Sequence, residues 1–518
     1  MTEDHTPSQP MFSPARLDAA LSWLLLAVAA VAVVCWIGLA FAHIDDRFMV
    51  NHVVGAWLAL AAHAQDGTLY PPLFDGERYG GTRFMAIPVL LLAGAGAVAG
   101  NLLVGGKALS GVLFLALMGV MLAIVRGRFR CPWPIAMFFS AALLLTPTGW
   151  EAAMSVRFDA LPVIWQLIAI GLIGWRVERR TVIAAALCCA LAVLCKFSAV
   201  WGFGAIGLWL LARDRRMLAW FAAAGLVTLL AGAGAMHVLS DGRVWQSFTQ
   251  LSFAGVEGVT GGVVTGIART VWYLGDPIHT MLLLPLAAAG VLLAAARRSL
   301  SIEHLAWCCG LVVTAGILSD DGAYPNHLID IAALSAIVTA GLFAGNRPDD
   351  DGDDRPANRS VLLMILLFAA SVGFVRQDNG PFQQAGRHLT GSIDREALTA
   401  TPLADVVGDD ETILAEDPFM PISLGRRPVI GDPWMLRHIA EQHPHWIEPL
   451  HDRIADHEFD WIVLMQRLDE RPGWYERLHL GSALAETIDK HYEPADNGPG
   501  YWLYRPREST ADGVSGES

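Results

Sequence analysis

The chain has 518 residues, of which 54% are hydrophobic and only 17% are charged, and its mean hydropathy is +0.43. A soluble protein is usually about a quarter charged, so this composition predicts a chain that lies largely in lipid. The apolar residues form runs of roughly 20, the length that crosses a bilayer as a helix. The pattern excludes a soluble enzyme, a disulfide-stabilised secreted protein, a coiled coil, a disordered chain and an outer-membrane barrel.

The charge is concentrated at the C-terminal end. Residues 376–518 hold 13 basic and 26 acidic residues, and so carry −13 of the total net charge of −14. We therefore expect a membrane domain over residues 1–375, an acidic extracytoplasmic domain over 376–507 and a disordered tail over 508–518. An acidic surface repels nucleic acid, so we expect no DNA or RNA partner.

Eleven apolar runs predict about eleven membrane-spanning helices. The first run is too long for a signal peptide, which favours an uncleaved span. The runs cover residues 19–42, 103–125, 133–148, 158–175, 181–195, 199–212, 217–238, 276–296, 304–319, 327–345 and 360–375. Arginine clusters follow alternate runs, as at Arg126, Arg128 and Arg130. The positive-inside rule then places the N-terminus in the cytoplasm and the acidic domain outside the cytoplasmic membrane.

Two further stretches predict helices outside the bilayer core. Residues 48–64 have an amphipathic pattern and are expected to lie in the plane of the interface. Residues 84–100 are apolar but would break the alternation of arginine clusters, which favours a re-entrant or interfacial helix. A full span over 84–100 is the alternative.

Asp45 and Asp46 directly follow the first run. Adjacent carboxylates at a membrane face can ligate a divalent cation or supply a general base. The alternative is that Asp45 caps the N-terminus of the amphipathic helix that follows.

The loop over residues 68–83 is rich in aromatic and basic groups, among them Tyr70, Tyr79 and Arg83. Stacking rings and forked guanidinium hydrogen bonds can hold a sugar or a phosphate. Arg83 could instead extend its charge to the membrane surface.

Charged residues also stand at the ends of later runs. Arg157 and Asp159 flank the start of the fourth span, where they either pair or line a wet cavity. Lys196 is one of only three lysines and interrupts an apolar run. A cation in this position indicates a site that binds and neutralises a phosphate group. The alternative is that Lys196 contacts the lipid headgroups. Arg269 and His327 are the remaining candidate polar site residues. The alternative for His327 is that it only packs within the fold.

These motifs together resemble the GT-C superfamily of membrane glycosyltransferases, in particular bacterial proteins similar to protein O-mannosyltransferases and lipid A aminoarabinose transferases. The resemblance covers residues 19–345. It rests on the order of six elements: Asp45-Asp46, Gly67-x-Leu69-Tyr70-Pro71, Tyr79-x-x-Thr82-Arg83, Arg157-x-Asp159, Lys196-Phe197-Ser198 and Gly322-x-Tyr324-x-Asn326-His327.

The resemblance implies transfer, with inversion, of a sugar from a polyprenyl-phosphate donor to a hydroxyl of an envelope glycan, lipid or protein. It implies that Asp45 is the base, that Asp46 is its partner and that Asp159 is a second acidic site residue. Lys196 would bind the donor phosphate. The other implied donor-binding residues are Arg83, Tyr79, Tyr70, Arg157, Arg269 and His327.

Two points stay open within the resemblance. Because Asp-Asp stands here where many relatives have Asp-Glu, either Asp45 or Asp46 could be the base. A divalent cation, magnesium or manganese, near Asp46 and Asp159 is also an open alternative.

The main competing hypothesis is a flippase or transporter for a polyprenyl-linked lipid or sugar. It predicts two related halves with a binding site at the bilayer midplane. The sequence shows no obvious internal repeat, and its charged residues are expected at one membrane face, which favours the transferase.

The C-terminal domain is predicted to be α/β. Strand-like runs cover residues 412–415, 461–465 and 501–504, and helix-like runs cover 435–442, 447–457 and 475–488.

Overall fold

The computed structural model describes residues 14–251, 264–270, 272, 278–319, 323, 325–344, 359–376, 381–394 and 396–508. Most of these residues are helical. The helices are α1 Pro14–Ala42, α2 His52–Gln65, α3 Ala86–Ala99, α4 Leu102–Phe129, α5 Trp133–Ala141, α6 Pro147–Met154, α7 Ala160–Trp175, α8 Arg179–Cys195, α9 Trp201–Arg213, α10 Arg215–Leu239, α11 Arg243–Leu251, α12 Ile278–Ala296, α13 Ile302–Ile317, α14 Ile329–Gly341, α15 Arg359–Arg376, α16 Pro381–Leu389, α17 Phe419–Ser423, α18 Pro433–Gln442, α19 Pro444–Ala455, α20 Pro472–Arg477 and α21 Ser482–His491. Two 3-10 helices cover Ala142–Leu145 and Pro325–Leu328, and a further short helical segment covers residues 264–270.

Each of the eleven predicted runs contains a helix, which confirms the helical class. Within the described residues, α1, α4 and α10 are long and apolar enough to cross a membrane. A bent pair, Trp133–Leu145 with Pro147–Met154, would count as a fourth span, with an angle of 81° between its halves. The number of spans therefore stays a prediction, because several of the remaining apolar helices are shorter than a bilayer normally requires.

The chain divides into two compact units. The first covers residues 1–42, 110–230 and 255–393, and the second covers 43–109, 231–254 and 394–518. The predicted disordered tail lies outside the described residues from residue 509 onward.

The first unit is a packed set of helices. In it, α1 packs against α5 and α15, while α13 packs between α9 and α14. The helices α7 and α8 form a hairpin through a turn of three residues, 176–178. The Glu178 and Thr181 side chains cap the start of α8 reciprocally, which sets where the hairpin turns.

The second unit contains a four-stranded sheet, formed by β1 Ile413–Ala415, β2 Trp461–Leu464, β3 Tyr492–Gly498 and β4 Tyr501–Pro506. The strand order is β1-β2-β4-β3; β1 and β2 are parallel and the other pairs are antiparallel. The prediction of a small α/β region at the C-terminal end is confirmed.

The loop after α2 belongs to the core of this sheet region. Tyr79 is 2% exposed and packs among C-terminal residues. Its backbone N–H donates to the Val429 carbonyl at 2.7 Å, and its carbonyl accepts from the Gly431 N–H at 2.8 Å. Residues 68–83 are therefore integral to the same unit as the C-terminal segment.

The helix α2 differs from its prediction in two ways. It begins at His52 with Asn51 as its N-cap, whose side chain accepts from the Val54 N–H, so Asp45 does not cap it. Residues 54–62 are all buried, and Gly55 lies directly against Asp417, where a Cβ would clash with the carboxylate. Because protein covers the helix on all sides, α2 is a core helix rather than an amphipathic helix at an interface.

The apolar stretch 84–100 forms α3, a helix of 14 residues that ends at Gly100 with φ +69°. A glycine in the left-handed conformation is a common helix terminator. The length is shorter than a span requires, which favours the predicted short helix over a full crossing.

Candidate functional site

The first unit contains a cluster of charged residues centred on Asp159. Asp159 directly precedes α7, and Lys196 directly follows α8. Because a short turn joins these two helices as a hairpin, the start of one lies beside the end of the other. The Lys196 Nζ atom donates to Oδ1 of Asp159 at 2.7 Å. The structure thus brings together two residues that the sequence singled out separately.

Two more side chains hold the same carboxylate. Nδ2 of Asn326 donates to Oδ1 of Asp159 at 2.9 Å, and Nη1 of Arg157 lies 4.0 Å from Oδ2. His327, next to Asn326, lies within electrostatic range of Asp159. Three of the predicted donor-binding residues, Lys196, Arg157 and His327, therefore surround Asp159.

Arg157 is held in place by further contacts. Its Nη2 atom lies 2.9 Å from Oε1 of Glu151, and its carbonyl accepts from the Ser110 hydroxyl at 3.0 Å. The side chain is 4% exposed, and within the described residues its Nε atom has no hydrogen-bond acceptor. A buried guanidinium with an unused N–H retains donor capacity for an anion.

Sequence reasoning missed two carboxylates of this cluster. Glu151 pairs with Arg157, and Asp330 accepts from Nε1 of Trp201 at 2.7 Å while lying within electrostatic range of Lys196. Both are acidic residues in or beside apolar helices, where a charge is costly unless it has a role. The free-energy cost of placing these two carboxylates there was the feature of the sequence from which they could have been identified.

The second unit contains the Asp45-Asp46 pair. Asp46 is fixed by its neighbours: its Oδ2 atom lies 2.5 Å from Nδ1 of His43, and its Oδ1 atom accepts from the Phe48 N–H at 2.8 Å. Lys107 was not predicted as a site residue. It donates to the backbone carbonyls of His43 and Asp46, each at 2.6 Å.

These contacts decide the protonation of Asp46. Burial opposes ionisation, but the hydrogen bonds from His43 and the Phe48 amide, with the charge of Lys107, outweigh it and lower the pKa of Asp46 below its usual value. Asp46 is therefore a carboxylate held in hydrogen bonds.

Asp45 has a different environment. Its side chain is exposed and takes part in no hydrogen bond or ion pair within the described part of the chain. The two adjacent carboxylates thus differ in availability, because Asp46 is bound within the protein and Asp45 faces solvent.

The two predicted tyrosines are buried. Tyr70 is 3% exposed and donates to the Phe84 carbonyl at 2.9 Å, and the Tyr79 hydroxyl donates to the Trp446 carbonyl at 2.7 Å. With ring and hydroxyl both occupied, they pack the protein and do not offer the free ring faces that sugar stacking needs.

The two remaining predicted arginines lie in different units. The Arg83 guanidinium carbon lies 4.3 Å from the ring centroid of Trp434, in the second unit. Arg269 lies in the helical segment 264–270 of the first unit and is half-buried.

The donor sets around Asp46 and Asp159 do not fit a magnesium or manganese ion. Positively charged groups and N–H donors lie against both carboxylates, and these compete with a cation. Among the described residues, no three His, Cys, Asp or Glu side chains are arranged to hold a metal ion.

The similarity of this chain to known proteins lies in its three-dimensional structure. No protein-family model matches the chain, and no curated protein matches it in sequence. The crystal structure of ArnT from Cupriavidus metallidurans bound to undecaprenyl phosphate is similar over 94% of this chain and 99% of that chain, with a TM-score of 0.60 and 12% identity. The apo Archaeoglobus fulgidus oligosaccharyltransferase is similar over 94% of this chain and 75% of that chain, with a TM-score of 0.52 and 12% identity. The chain therefore has a fold similar to those of ArnT and the oligosaccharyltransferase, which agrees with the fold that the GT-C resemblance implies.

Proposed function

We propose that the protein is a glycosyltransferase that moves a sugar from a polyprenyl-phosphate donor to an acceptor hydroxyl at the outer face of the cytoplasmic membrane. The observation that carries the proposal is the cluster in which Lys196, Arg157 and Asn326 surround Asp159. Charges are retained in an apolar helical domain when they serve a polar ligand. The undecaprenyl phosphate bound to ArnT, which shares this fold, supports a polyprenyl donor.

Lys196 and Arg157 supply the phosphate-binding donors. An ammonium group has three N–H bonds and the guanidinium has five, so both retain donors beyond those that Asp159 and Glu151 occupy. As the bond between the sugar and the phosphate breaks, negative charge develops on the phosphate oxygen. Fixed cations stabilise that charge and so lower the barrier. Asp159 is then a positioning residue that holds Lys196.

Asp45 is the base in this proposal, because its exposed carboxylate is available while that of Asp46 is engaged. The acceptor oxygen attacks the anomeric carbon and its proton passes to Asp45. The anomeric carbon–oxygen bond breaks, and polyprenyl phosphate leaves with the bonding electrons. One displacement at one carbon inverts its configuration.

The expected topology accompanies this reaction. We infer about eleven spans, a cytoplasmic N-terminus and an extracytoplasmic domain over residues 376–507, as the arginine clusters predict. The acceptor is an envelope glycan, lipid or protein, since these carry hydroxyl groups on that face.

The test uses purified protein in liposomes, radiolabelled polyprenyl-phosphate sugars and a membrane extract as the acceptor source. Wild type should transfer label, Asp45→Asn should abolish transfer, and Lys196→Ala should weaken donor binding. Lys490→Ala is the matched control, because Lys490 is an exposed lysine in α21. If no sugar moves with any donor while labelled lipid changes leaflet, the transferase is rejected in favour of the flippase.

A further inference from the structure

A surface cavity of about 530 Å³ lies in the second unit. Its lining residues are Glu470, Arg471, Gly473, Trp474, Arg477 and Leu478. The volume falls within the range of roughly 300–1,000 Å³ that is usual for small-molecule pockets. No residue of this cavity belongs to the proposed transferase chemistry.

The two arginines of the cavity are unlike the other arginines of this region. Residues 396–508 contain nine arginines. Seven have side chains that contact a carboxylate or a backbone carbonyl: Arg426, Arg427, Arg437, Arg453, Arg467, Arg505 and Arg507. Arg471 and Arg477 are both exposed, and neither side chain has an ion pair or hydrogen bond within the described residues. In a segment this acidic, two unpaired neighbouring cations indicate a site for an anion.

Trp474 lines the same cavity, and hydrogen bonds within the protein hold its indole ring. Nε1 of Trp474 donates at 2.8 Å to Oε1 of Glu416, which is fully buried. The same carboxylate also accepts from Tyr475 and from the Met465 N–H, and contacts His479 at 2.6 Å. The indole orientation is therefore fixed before any ligand arrives, which removes part of the entropic cost of binding.

Gly473 lets one guanidinium lie close to the backbone. A Cβ at this position would lie 3.1 Å from Nη2 of Arg477, tighter than an ordinary contact. The acidic lining residue, Glu470, lies 3.6 Å from Arg467, which also pairs with Asp469 at 2.7 Å, so Arg467 offsets part of the Glu470 charge from outside the cavity.

We propose that this cavity binds an anionic saccharide, a sugar that carries a phosphate or a carboxylate group. The indole face packs against the apolar face of the sugar ring, and the two guanidinium groups bind the anion through forked hydrogen bonds. A lipid surface fits less well, because an extended anionic surface would face the whole acidic segment, with its net charge of −13, whereas a single sugar contacts only the cavity and its two arginines. The site is additional to the transferase site, and its occupancy does not depend on sugar transfer.

The test is isothermal titration calorimetry on the full chain in detergent. The probes are glucose, glucose 6-phosphate, glucuronate, inorganic phosphate and, as the lipid-headgroup probe, dihexanoyl phosphatidylglycerol. We expect the two charged sugars to bind at least roughly tenfold more tightly than glucose or phosphate alone, since each charge-assisted hydrogen bond is worth about that factor. Preference between the two charged sugars identifies the anionic group.

The variants separate the site from general charge effects. Arg471→Ala and Arg477→Ala should each weaken binding of the charged sugar by roughly tenfold, and Gly473→Ala should weaken it less, by displacing one guanidinium. Arg505→Ala is the matched control and should leave binding unchanged, because Arg505 is exposed but paired with Glu493. Absence of charged-sugar binding in wild type, binding unaffected by both arginine variants, or binding of the phosphatidylglycerol alone would each overturn the proposal.

Discussion

The Nζ atom of Lys196 lies 2.7 Å from the Oδ1 atom of Asp159, although the two residues are 37 positions apart in the chain. The pair closes the end of the hairpin that α7 and α8 form, and both side chains are only partly exposed, 20% for Lys196 and 11% for Asp159. We expect this ion pair to contribute both to the stability of the fold and to donor binding. Substitutions at the two positions can separate these contributions.

Lys196→Ala should lower both stability and donor binding. Asp159 would keep Asn326 and the more distant Arg157 but lose its closest cation, at a cost of roughly 1.5–3 kcal/mol in the free energy of unfolding. The double variant Lys196→Ala with Asp159→Asn should recover part of this stability and none of the donor binding. Thermal unfolding in detergent and donor titration measure the two quantities. Recovery of donor binding in the double variant would contradict the assignment of Lys196 to the phosphate.

Asp45→Asn should abolish sugar transfer, whereas Asp46→Asn should mainly lower stability. The Asp45 side chain is exposed, so its replacement should leave the unfolding temperature unchanged and abolish transfer. Asp46 accepts two hydrogen bonds, so its replacement should lower the unfolding temperature and reduce transfer only in part. Parallel melting and transfer assays test this. The reverse ranking would make Asp46 the base.

Lys107→Met should weaken the turn that carries Asp45. The Lys107 ammonium donates to two backbone carbonyls, and methionine of similar length has no donor. We expect a loss of about 2–4 kcal/mol in stability and a lower kcat with little change in the donor KM, because the base is misplaced while the phosphate donors are intact. Lys490→Met is the control. A selective rise in donor KM would show instead that Lys107 binds the donor.

Asp417→Asn should stabilise the second unit at neutral pH. Burial raises the pKa of Asp417 to about 6, despite the hydrogen bond from the Phe419 N–H and the charge of Arg47. Since this lies above the unfolded value of about 3.9, the Asp417 contribution to stability is full below pH 4 and is lost as the pH rises to 6. Asparagine keeps an acceptor oxygen for Phe419 but does not ionise.

The expected advantage of Asp417→Asn over wild type therefore grows between about pH 4 and pH 6, by on the order of 3 kcal/mol, and is constant above that. Unfolding of wild type and variant at a series of pH values measures the difference. A difference independent of pH would show that folding leaves the pKa of Asp417 unchanged.

Most helices could be predicted from the sequence, because long apolar runs indicate helices that lie in lipid or in the protein core. Sequence reasoning missed β3, because Pro494, Asp496 and Asn497 are poor strand residues, tolerated here in a strand at the sheet edge. It also joined residues 475–488 into one helix, whereas Leu480 and Gly481 have φ values of +61° and +89° and end the helical path.

The candidate site was predictable in part. Lys196, Arg157 and Asp159 were identifiable because charges in apolar surroundings are costly. The pairing of Lys196 with Asp159 was not predictable, since no local pattern encodes which helix ends meet. The burial of Tyr79 was not predictable either, because it depends on Val429 and Trp446, which lie more than 300 residues further along the chain.

The hydrogen bonds between Tyr79 and residues Val429 and Gly431 have a consequence for biosynthesis. A chain emerging from the ribosome presents residues 68–83 long before residue 431 has been made. During that interval the Tyr79 ring lacks the neighbours that later bury it, and such exposed apolar segments attract chaperones and proteases. The last quarter of the polypeptide thus completes a structure begun near its start, and premature termination would leave the early loop without its partners.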